Sequence, residues 1–248
     1  SGLARGGAFG DDWERLVDEA VRLRGTGQLD VTGIFSHFAC SDEVEHPANQ
    51  AQLVAYEAGL GLALERGLEP AHLHLANSAG MLAHKDALFT MVRPGISVYG
   101  LSPFADGRSP VPIRPAMTLR AAAALVKRVP EGQGVSYGHI YTTSCETTLV
   151  LVPLGYGDGV PRHASNVGPV AIGGRRFTVS GRVCMDQFVV DVGDASVAPG
   201  DEVVLFGDSA EGLPTAHDWA EAVGTISYEI VTRIGPRVPR RYVGEAAR

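Results

Sequence analysis

The sequence predicts an α/β + β protein: the second half of a (β/α)8 TIM-like barrel followed by a mainly β C-terminal domain. Three observations lead there. Up to Gly100, helical and strand patterns alternate, with polar side chains at the strand ends. From Met117 onward the patterns are short strands and Gly-rich turns with very little helix. Between them lies Arg93-Pro94-Gly95-Ile96-Ser97-Val98-Tyr99-Gly100, where the chain changes character.

The elements follow in order. Asp11 or Asp12 is expected to cap a helix whose apolar positions Trp13, Leu16, Val17, Ala20 and Val21 recur at i, i+3, i+4, until Gly25-Thr26-Gly27 ends it. Residues 31–35 read as a strand closing on Ser36-His37-Phe38. A long helical pattern over 48–65 runs through Leu53, Tyr56, Leu60 and Ala63 and stops at Gly67. The next strand is 72–76, Asn77-Ser78-Ala79-Gly80 opens a short helix, and 89–92 is a further strand ending at Arg93. Only about half of the eight βα units of a closed barrel are present, and an open half would leave strand edges unpaired. The other half is therefore expected upstream of Ser1. The opening Ser1-Gly2-Leu3-Ala4-Arg5-Gly6-Gly7 has no initiator methionine and reads like the middle of a longer protein.

The Pro-, Gly- and Ser-rich stretch 103–115 reads as a linker. The expected division is a barrel half over 1–105, a linker at 106–115 and a β-domain over 116–248. In the β-domain, 117–129, 133–142, 147–154, 169–172, 176–180, 188–192 and 202–206 read as strands, separated by turns such as Pro130-Glu131-Gly132 and Gly173-Gly174. Two short helices, 216–222 and 227–234, precede a last strand at 238–242.

Composition narrows the function classes. Hydrophobic residues at 45% and charged residues at 20% describe an ordinary globular chain of 248 residues. No apolar run approaches the roughly 20 residues a membrane helix needs, and no signal peptide opens the sequence. A net charge of -7 without a basic stripe argues against a nucleic-acid surface. Cys40, Cys145 and Cys184 are odd in number, far apart and without a C-x-x-C pair, which suits a reducing cytoplasm and gives no disulfide framework.

Several side chains could carry chemistry. Arg93 followed by Pro-Gly and small apolar residues leaves backbone N–H groups available to an anion; taken alone, the segment is also an ordinary surface arginine before a turn. His72 and His74 share one face of a strand and could begin a metal site, but no third ligand follows at a sensible spacing. His37 stands at a strand end, where a structural role is the commoner one. Ser78 sits at a helix start, a seat for phosphate that is equally an N-cap. Gly134-Val135-Ser136-Tyr137-Gly138 flanks a tyrosine with glycines, permitting close approach of a ligand or another backbone. Phenols titrate near 10, so a tyrosine serves as a base only with a cation or hydrogen-bond donors beside its phenolate. Cys184 has no paired base in sequence that would make it a nucleophile.

Together these pieces resemble the bacterial alanine racemases, in order and spacing. The blocks are 34–42, 76–81, 91–100, 134–142, 155–187 and Ile226-Ser227-Tyr228-Glu229, and the likeness runs from Leu3-Ala4-Arg5-Gly6 to Arg240-Arg241-Tyr242. The resemblance implies pyridoxal 5'-phosphate as cofactor, with His37 packing on its ring, Arg93 facing the ring nitrogen, and Ser78, Gly95, Ile96 and Tyr228 binding the phosphate. It implies Arg5 and Met185 at the substrate carboxylate and Tyr137 as the base acting on L-alanine, contributed across a head-to-tail homodimer. Asp42, Tyr156, Arg162, Arg182 and Ile226 match residues lining the substrate entryway. No metal is implied. The implied reaction interconverts L- and D-alanine through a cofactor aldimine with two bases, in the cytoplasm, supplying D-alanine for peptidoglycan.

One departure matters. The family's cofactor lysine lies in a lysine-rich amino-terminal block without a counterpart here, and the lysine that many members carry just before the Leu3-Ala4-Arg5 block is missing too. Lys85 and Lys127 are the only lysines and read as surface residues. The alternatives are therefore a non-catalytic piece that binds pyridoxal phosphate or dimerises, or a racemase of broader specificity. An arginine at position 93 argues against the related barrel-plus-β decarboxylases, which place a carboxylate there.

Overall fold

The computed structural model describes residues 2–244, which fall into two compact units divided between Arg114 and Pro115. In the first unit, helix α1 (Asp11–Gly25) precedes strand β1 (Gly33–Phe35), helix α2 (Pro47–Glu65), strand β2 (His72–His74) and the short helix α3 (Ser78–Ala83). Strands β1 and β2 pair in parallel, Gly33 against His72 and Phe35 against His74. Both helices take their places by burying apolar stripes. Val17 of α1 and Leu53, Tyr56 and Ala63 of α2 close over Ile34, Phe38, Leu75 and Ala76. Pro47 at the first turn and His46, whose Nδ1 accepts the Ala48 N–H at 3.1 Å, start α2. Trp13 Nε1 donates to Gly59 O at 2.9 Å and Tyr56 Oη to Ile34 O at 2.8 Å, so the two helices and β1 are tied by polar groups as well as by burial.

Three expectations for this unit need correction. Gly10, not Asp11 or Asp12, caps α1 and does so without a side chain; both aspartates fall in the first turn, where the helix dipole favours them. Leu16, expected on the buried stripe, stays about half exposed. Residues 89–92 form no strand. Phe89 adopts a positive φ of 46° and the Thr90 hydroxyl, rather than a backbone carbonyl, takes the Leu73 N–H at 2.8 Å. The segment still runs beside β2, with Met91 N donating to Leu73 O and Arg93 N to Ala76 O.

The second unit is built from antiparallel sheets. Strands β3 (Leu119–Ala122), β4 (Leu125–Val129), β5 (Gly134–Val135), β6 (Tyr141–Thr142), β7 (Thr147–Val152), β8 (Pro169–Ile172), β9 (Arg175–Thr178), β10 (Phe188–Gly193) and β11 (Glu202–Phe206) precede helices α4 (Ala216–Val223) and α5 (Ser227–Thr232). The sheet orders are β10-β7-β4, β3-β11-β8-β9 and β5-β6. Many residues of these strands, among them Val150, Val152, Phe188, Val190, Val203 and Leu205, are fully buried, alternating along β10 and running unbroken over 203–206 in β11. Helix α4 adds Ala216, Trp219 and Ala220 at i, i+3, i+4, and Trp219 Nε1 donates to Leu205 O at 2.6 Å. Thr215 and Asp218 form a capping box that starts this helix.

The expected strand over 117–129 is two strands in different sheets. Ala123 N bonds Asp201 O and Ala124 N bonds Leu151 O, so the chain changes sheets between adjacent residues. The expected strand over 133–142 is broken by a single 3-10 turn at Tyr137–His139, because Ser136, Gly138 and His139 all take positive φ. Residues 238–242 form no strand; the Arg240 guanidinium draws in the carbonyls of Ile234, Gly235 and Val238.

Candidate active site

In the first unit the site is built around Arg93. One terminal nitrogen of its guanidinium donates to His74 O at 3.1 Å and to His74 Nδ1; the other donates to Ser36 O at 2.7 Å and His37 Nδ1 at 3.0 Å. Ser36 follows β1 and His74 ends β2, so the arginine straps two parallel strand ends. Its charge also lies over the Phe35 ring, which stacks on His74. A guanidinium has five N–H groups and no acceptor. Four are consumed here, and among the described residues no acceptor meets Nε–H. Because Arg93 only donates, both histidines must offer a bare Nδ1 and carry their proton on Nε2.

The titration of these groups agrees. Burial, then the Arg93 charge, then Arg5 hold His37 below its ordinary value. Burial, then Arg93, then His72 do the same to His74. Burial also lowers Arg93, opposed by Tyr56 and aided by Arg5. Arg5 therefore stands near enough for its charge to reach both His37 and Arg93. Of the two strand histidines, His74 is engaged by Arg93 and His72 is exposed; among the described residues no three His, Cys, Asp or Glu groups converge on one position.

Beside Arg93, Ser78 is 4% exposed and its Oγ accepts the backbone N–H groups of Gly95 at 2.8 Å and Ser97 at 3.3 Å. The cap of α3 is Asn77, whose Oδ1 accepts from Gly80 N and from Ser41 Oγ. Ser78 is thus free of the capping role weighed for it, and its own O–H hydrogen remains to be donated. Gly95 and Ile96 lead into a 3-10 helix, Ile96–Tyr99, and the first N–H groups of such a turn lack intrahelical acceptors. The Ser97 hydroxyl oxygen is buried and has no partner among the described residues. Ser78 Oγ holds the Gly95 and Ser97 N–H groups, while the Ser78 O–H hydrogen and the buried Ser97 hydroxyl are left to engage a ligand, which fits an anion such as a phosphate. Asp42 lies on the exposed loop after His37, next to Ser41.

In the second unit, Tyr137, Tyr156, Arg162, Arg182 and Met185 lie on segments joined by hydrogen bonds, while Ile226 and Tyr228 lie at the start of α5. Tyr137 is 72% exposed on the turn between β5 and β6. Ser136 has φ 60° and ψ -170°, a region normally left to glycine. Its hydroxyl donates to Arg182 O at 2.7 Å and meets Cys184 Sγ at 3.3 Å. The Arg182 guanidinium lies against Gly138, 3.6 Å from where a β-carbon would stand. Tyr156 N donates to Cys184 O and Gly157 N to Met185 O, which brings the Tyr156 and Met185 loops together. Gly155 is required there, since a β-carbon would lie 2.3 Å from both Cys184 O and Met185 O. Arg237 pins the same loops, reaching Asp158 at 3.3 Å and Asp186 at 2.6 Å. Arg162 opens the 3-10 turn Arg162–Ala164; its carbonyl accepts the Ser165 hydroxyl, which in turn accepts Val183 N. Ile226 caps α5 and is exposed, and Tyr228 follows within that helix. The chain just beyond α5 joins the cluster where Gly235 N donates to Asp158 O.

Sequence reasoning missed Ser36 and His74 as partners of Arg93, and Ser136, Ser165, Asn166 and Arg237 as the groups fixing the second cluster. Only strand-end placement could have pointed to the first pair. The others give no signal beyond ordinary turn residues.

Residues 1–103 match the family model "Alanine racemase, N-terminal domain" and residues 116–242 match "Alanine racemase, C-terminal domain". An alanine racemase of Salinispora tropica is 56% identical over 99% of this chain. The solved alanine racemase of Streptomyces coelicolor A3(2) is 57% identical, covers 98% of the chain and superposes with a TM-score of 0.96. The structure of alanine racemase from Bacillus anthracis with bound L-Ala-P is 35% identical, with a TM-score of 0.89 over 98% of the chain. The chain spans 66%, 64% and 63% of the lengths of these proteins, respectively.

Proposed function

The chain belongs to the alanine racemase family, and we propose that the protein containing it interconverts L- and D-alanine with pyridoxal 5'-phosphate. We assign 1–105 to a barrel half, 106–115 to a linker and 116–248 to a β-domain. In this reading the enzyme is a cytoplasmic, head-to-tail homodimer that supplies D-alanine for peptidoglycan. The observation that carries the reading is the saturation of Arg93, which leaves Nε–H as its donor to a ring nitrogen.

The residues fit the cofactor. Ser78 O–H, the Gly95 and Ile96 backbone and Tyr228 would hold its phosphate, His37 would pack on its ring, and Arg93 would meet its ring nitrogen. When bound, pyridoxal phosphate draws into its ring the charge that develops as the Cα–H bond breaks. Arg93 controls how strongly. A guanidinium, ordinarily above about 12, keeps its proton, so it donates a hydrogen bond without transferring the proton to the ring nitrogen. Full withdrawal of charge is thereby denied, which disfavours transamination and decarboxylation and leaves proton exchange.

Arg5 and the Met185 backbone would orient the substrate carboxylate. Tyr137 would take the Cα proton of L-alanine at its phenolic oxygen and return it in the reverse direction. A base on the opposite face, the family's cofactor lysine, would serve D-alanine. Asp42, Tyr156, Arg162, Arg182 and Ile226 would line the route of entry.

Arg93→Glu in the full-length protein tests the reading. A carboxylate at this position favours a protonated ring nitrogen. Racemisation, followed by chiral chromatography, should slow while keto-acid formation rises. Unchanged racemisation with no new keto acid would remove this account of Arg93. A wild-type protein that holds the cofactor but leaves L-alanine unracemised would overturn the assigned reaction.

A further inference from the structure

We propose that Asn166 is a positioning residue for Tyr137: its amide ties the far end of the Tyr137 turn to the segment that carries Arg182 and Met185. The proposal rests on the reading of Tyr137 as the base for L-alanine. Asn166 Nδ2 donates to Ile140 O at 3.0 Å and Asn166 Oδ1 accepts Gly181 N at 2.6 Å. The amide can sit only this way round, because reversal would set oxygen against a carbonyl and an NH2 against an N–H.

The turn needs such a pin. Within its own chain Tyr137 is 72% exposed, so that chain's packing does little to fix its side chain, and its direction is inherited from the backbone. That backbone has positive φ at Ser136, Gly138 and His139. Non-glycine residues in such conformations cost about 1–3 kcal/mol each and persist only where the surroundings hold them. At the near end, Ser136 Oγ holds Arg182 O at 2.7 Å. At the far end, Asn166 holds Ile140.

Both ties converge on 181–182. Gly181 packs so closely that a β-carbon would lie 2.7 Å from Val135 O. Asn166 itself has φ 62°, a left-handed conformation that asparagine adopts more readily than most residues. Ser165 reinforces the join by accepting Val183 N at 3.0 Å. A two-residue clamp thus links three segments that bear Tyr137, Arg162 and Arg182.

The test uses the full-length, cofactor-loaded protein with Asn166→Gly, which preserves the left-handed backbone and removes both bonds. Asn166→Asp is made beside it; it keeps the acceptor for Gly181 N and loses the donor to Ile140 O. Backbone hydrogen–deuterium exchange should quicken over 136–142 in both variants, and over 181–183 in the glycine variant alone. Cα-proton exchange of L-alanine in deuterated water should fall ~10–100-fold in both, the scale expected for a small misplacement of a reacting group. Exchange of D-alanine should stay within about twofold of wild type, which a general loss of structure would not spare.

Unchanged backbone exchange at 136–142 would overturn the clamp whatever reaction the protein catalyses. A loosened turn with L-alanine exchange at the wild-type rate, or with both enantiomers slowed equally, would overturn the positioning role. Tyr137→Phe measured in parallel separates the two layers: if it too slows both enantiomers equally, the assignment of Tyr137 is at fault rather than that of Asn166.

Discussion

Arg93 and Tyr137 are held in opposite ways. Arg93 is half-buried and spends four N–H groups on acceptors of its own unit, two of them backbone carbonyls at strand ends. Tyr137 is mostly exposed, and the hydrogen bonds around it belong to its neighbours' atoms. A group that must fix a ligand's orientation gains from saturation, because every satisfied donor removes a way for it to move. A group that must give and take a proton has to keep its reacting atom unengaged, so the backbone on either side is fixed instead. The strain in the Tyr137 turn is the structural cost of that arrangement.

Tyr137→Phe removes the phenolic oxygen and leaves the turn and its ties in place. Loss of a positioned acid or base costs ~10²–10⁴ in rate, about 3–5 kcal/mol of barrier. Racemisation should fall by that factor in both directions, since the overall equilibrium cannot change, while the cofactor spectrum persists. If Tyr137 is supplied across a dimer, mixing this variant with one defective in the cofactor lysine should restore part of the activity; no rescue would count against sharing.

Ser78→Ala sharpens the other side. It strips the acceptor from the Gly95 and Ser97 N–H groups at a buried position, which should cost about 1–3 kcal/mol of stability. Melting of the full-length protein measures this, and titration with pyridoxal phosphate should show weaker binding. An unchanged melting curve and affinity would mean that Ser78 holds neither the loop nor the phosphate.

The smallest effect concerns pH. His37 and His74 titrate below their ordinary 6.5 in the folded protein, chiefly through burial and then through Arg93. As pH falls, the unfolded chain takes up these protons first. The stability held by neutral imidazoles is therefore complete above about 6.5 and shrinks from there down to the lowered folded values. Melting midpoints should drop across that window, and His37→Gln should reduce the drop. A flat profile through the window would contradict the two bare Nδ1 acceptors.

How much of this was legible varies with the physics of each part. Helix α2 follows from the spacing of Leu53, Tyr56, Leu60 and Ala63, and strands β8 and β11 from short apolar runs between turn residues; the structure places all three within a residue or two of that reading. The sheet change at Ala123-Ala124 was hidden, since the apolar pattern runs through it unbroken and only the hydrogen-bond partners differ. The Tyr137 turn was hidden because its residues read as strand; positive φ at Ser136 and His139 is imposed by ties to Arg182 and Asn166, remote in sequence. Arg93, His37 and Ser78 stood out as polar residues at element ends. The carbonyls that fix Arg93 could not, because backbone acceptors leave no trace in residue type.

The most direct measurement is Cα-proton exchange of each enantiomer by full-length Tyr137→Phe in deuterated water. With the phenol gone and the opposite-face base intact, D-alanine should exchange much faster than L-alanine, whereas the wild-type protein should exchange both. Equal exchange of the two enantiomers by the variant would contradict the claim that this chain contributes the base for L-alanine.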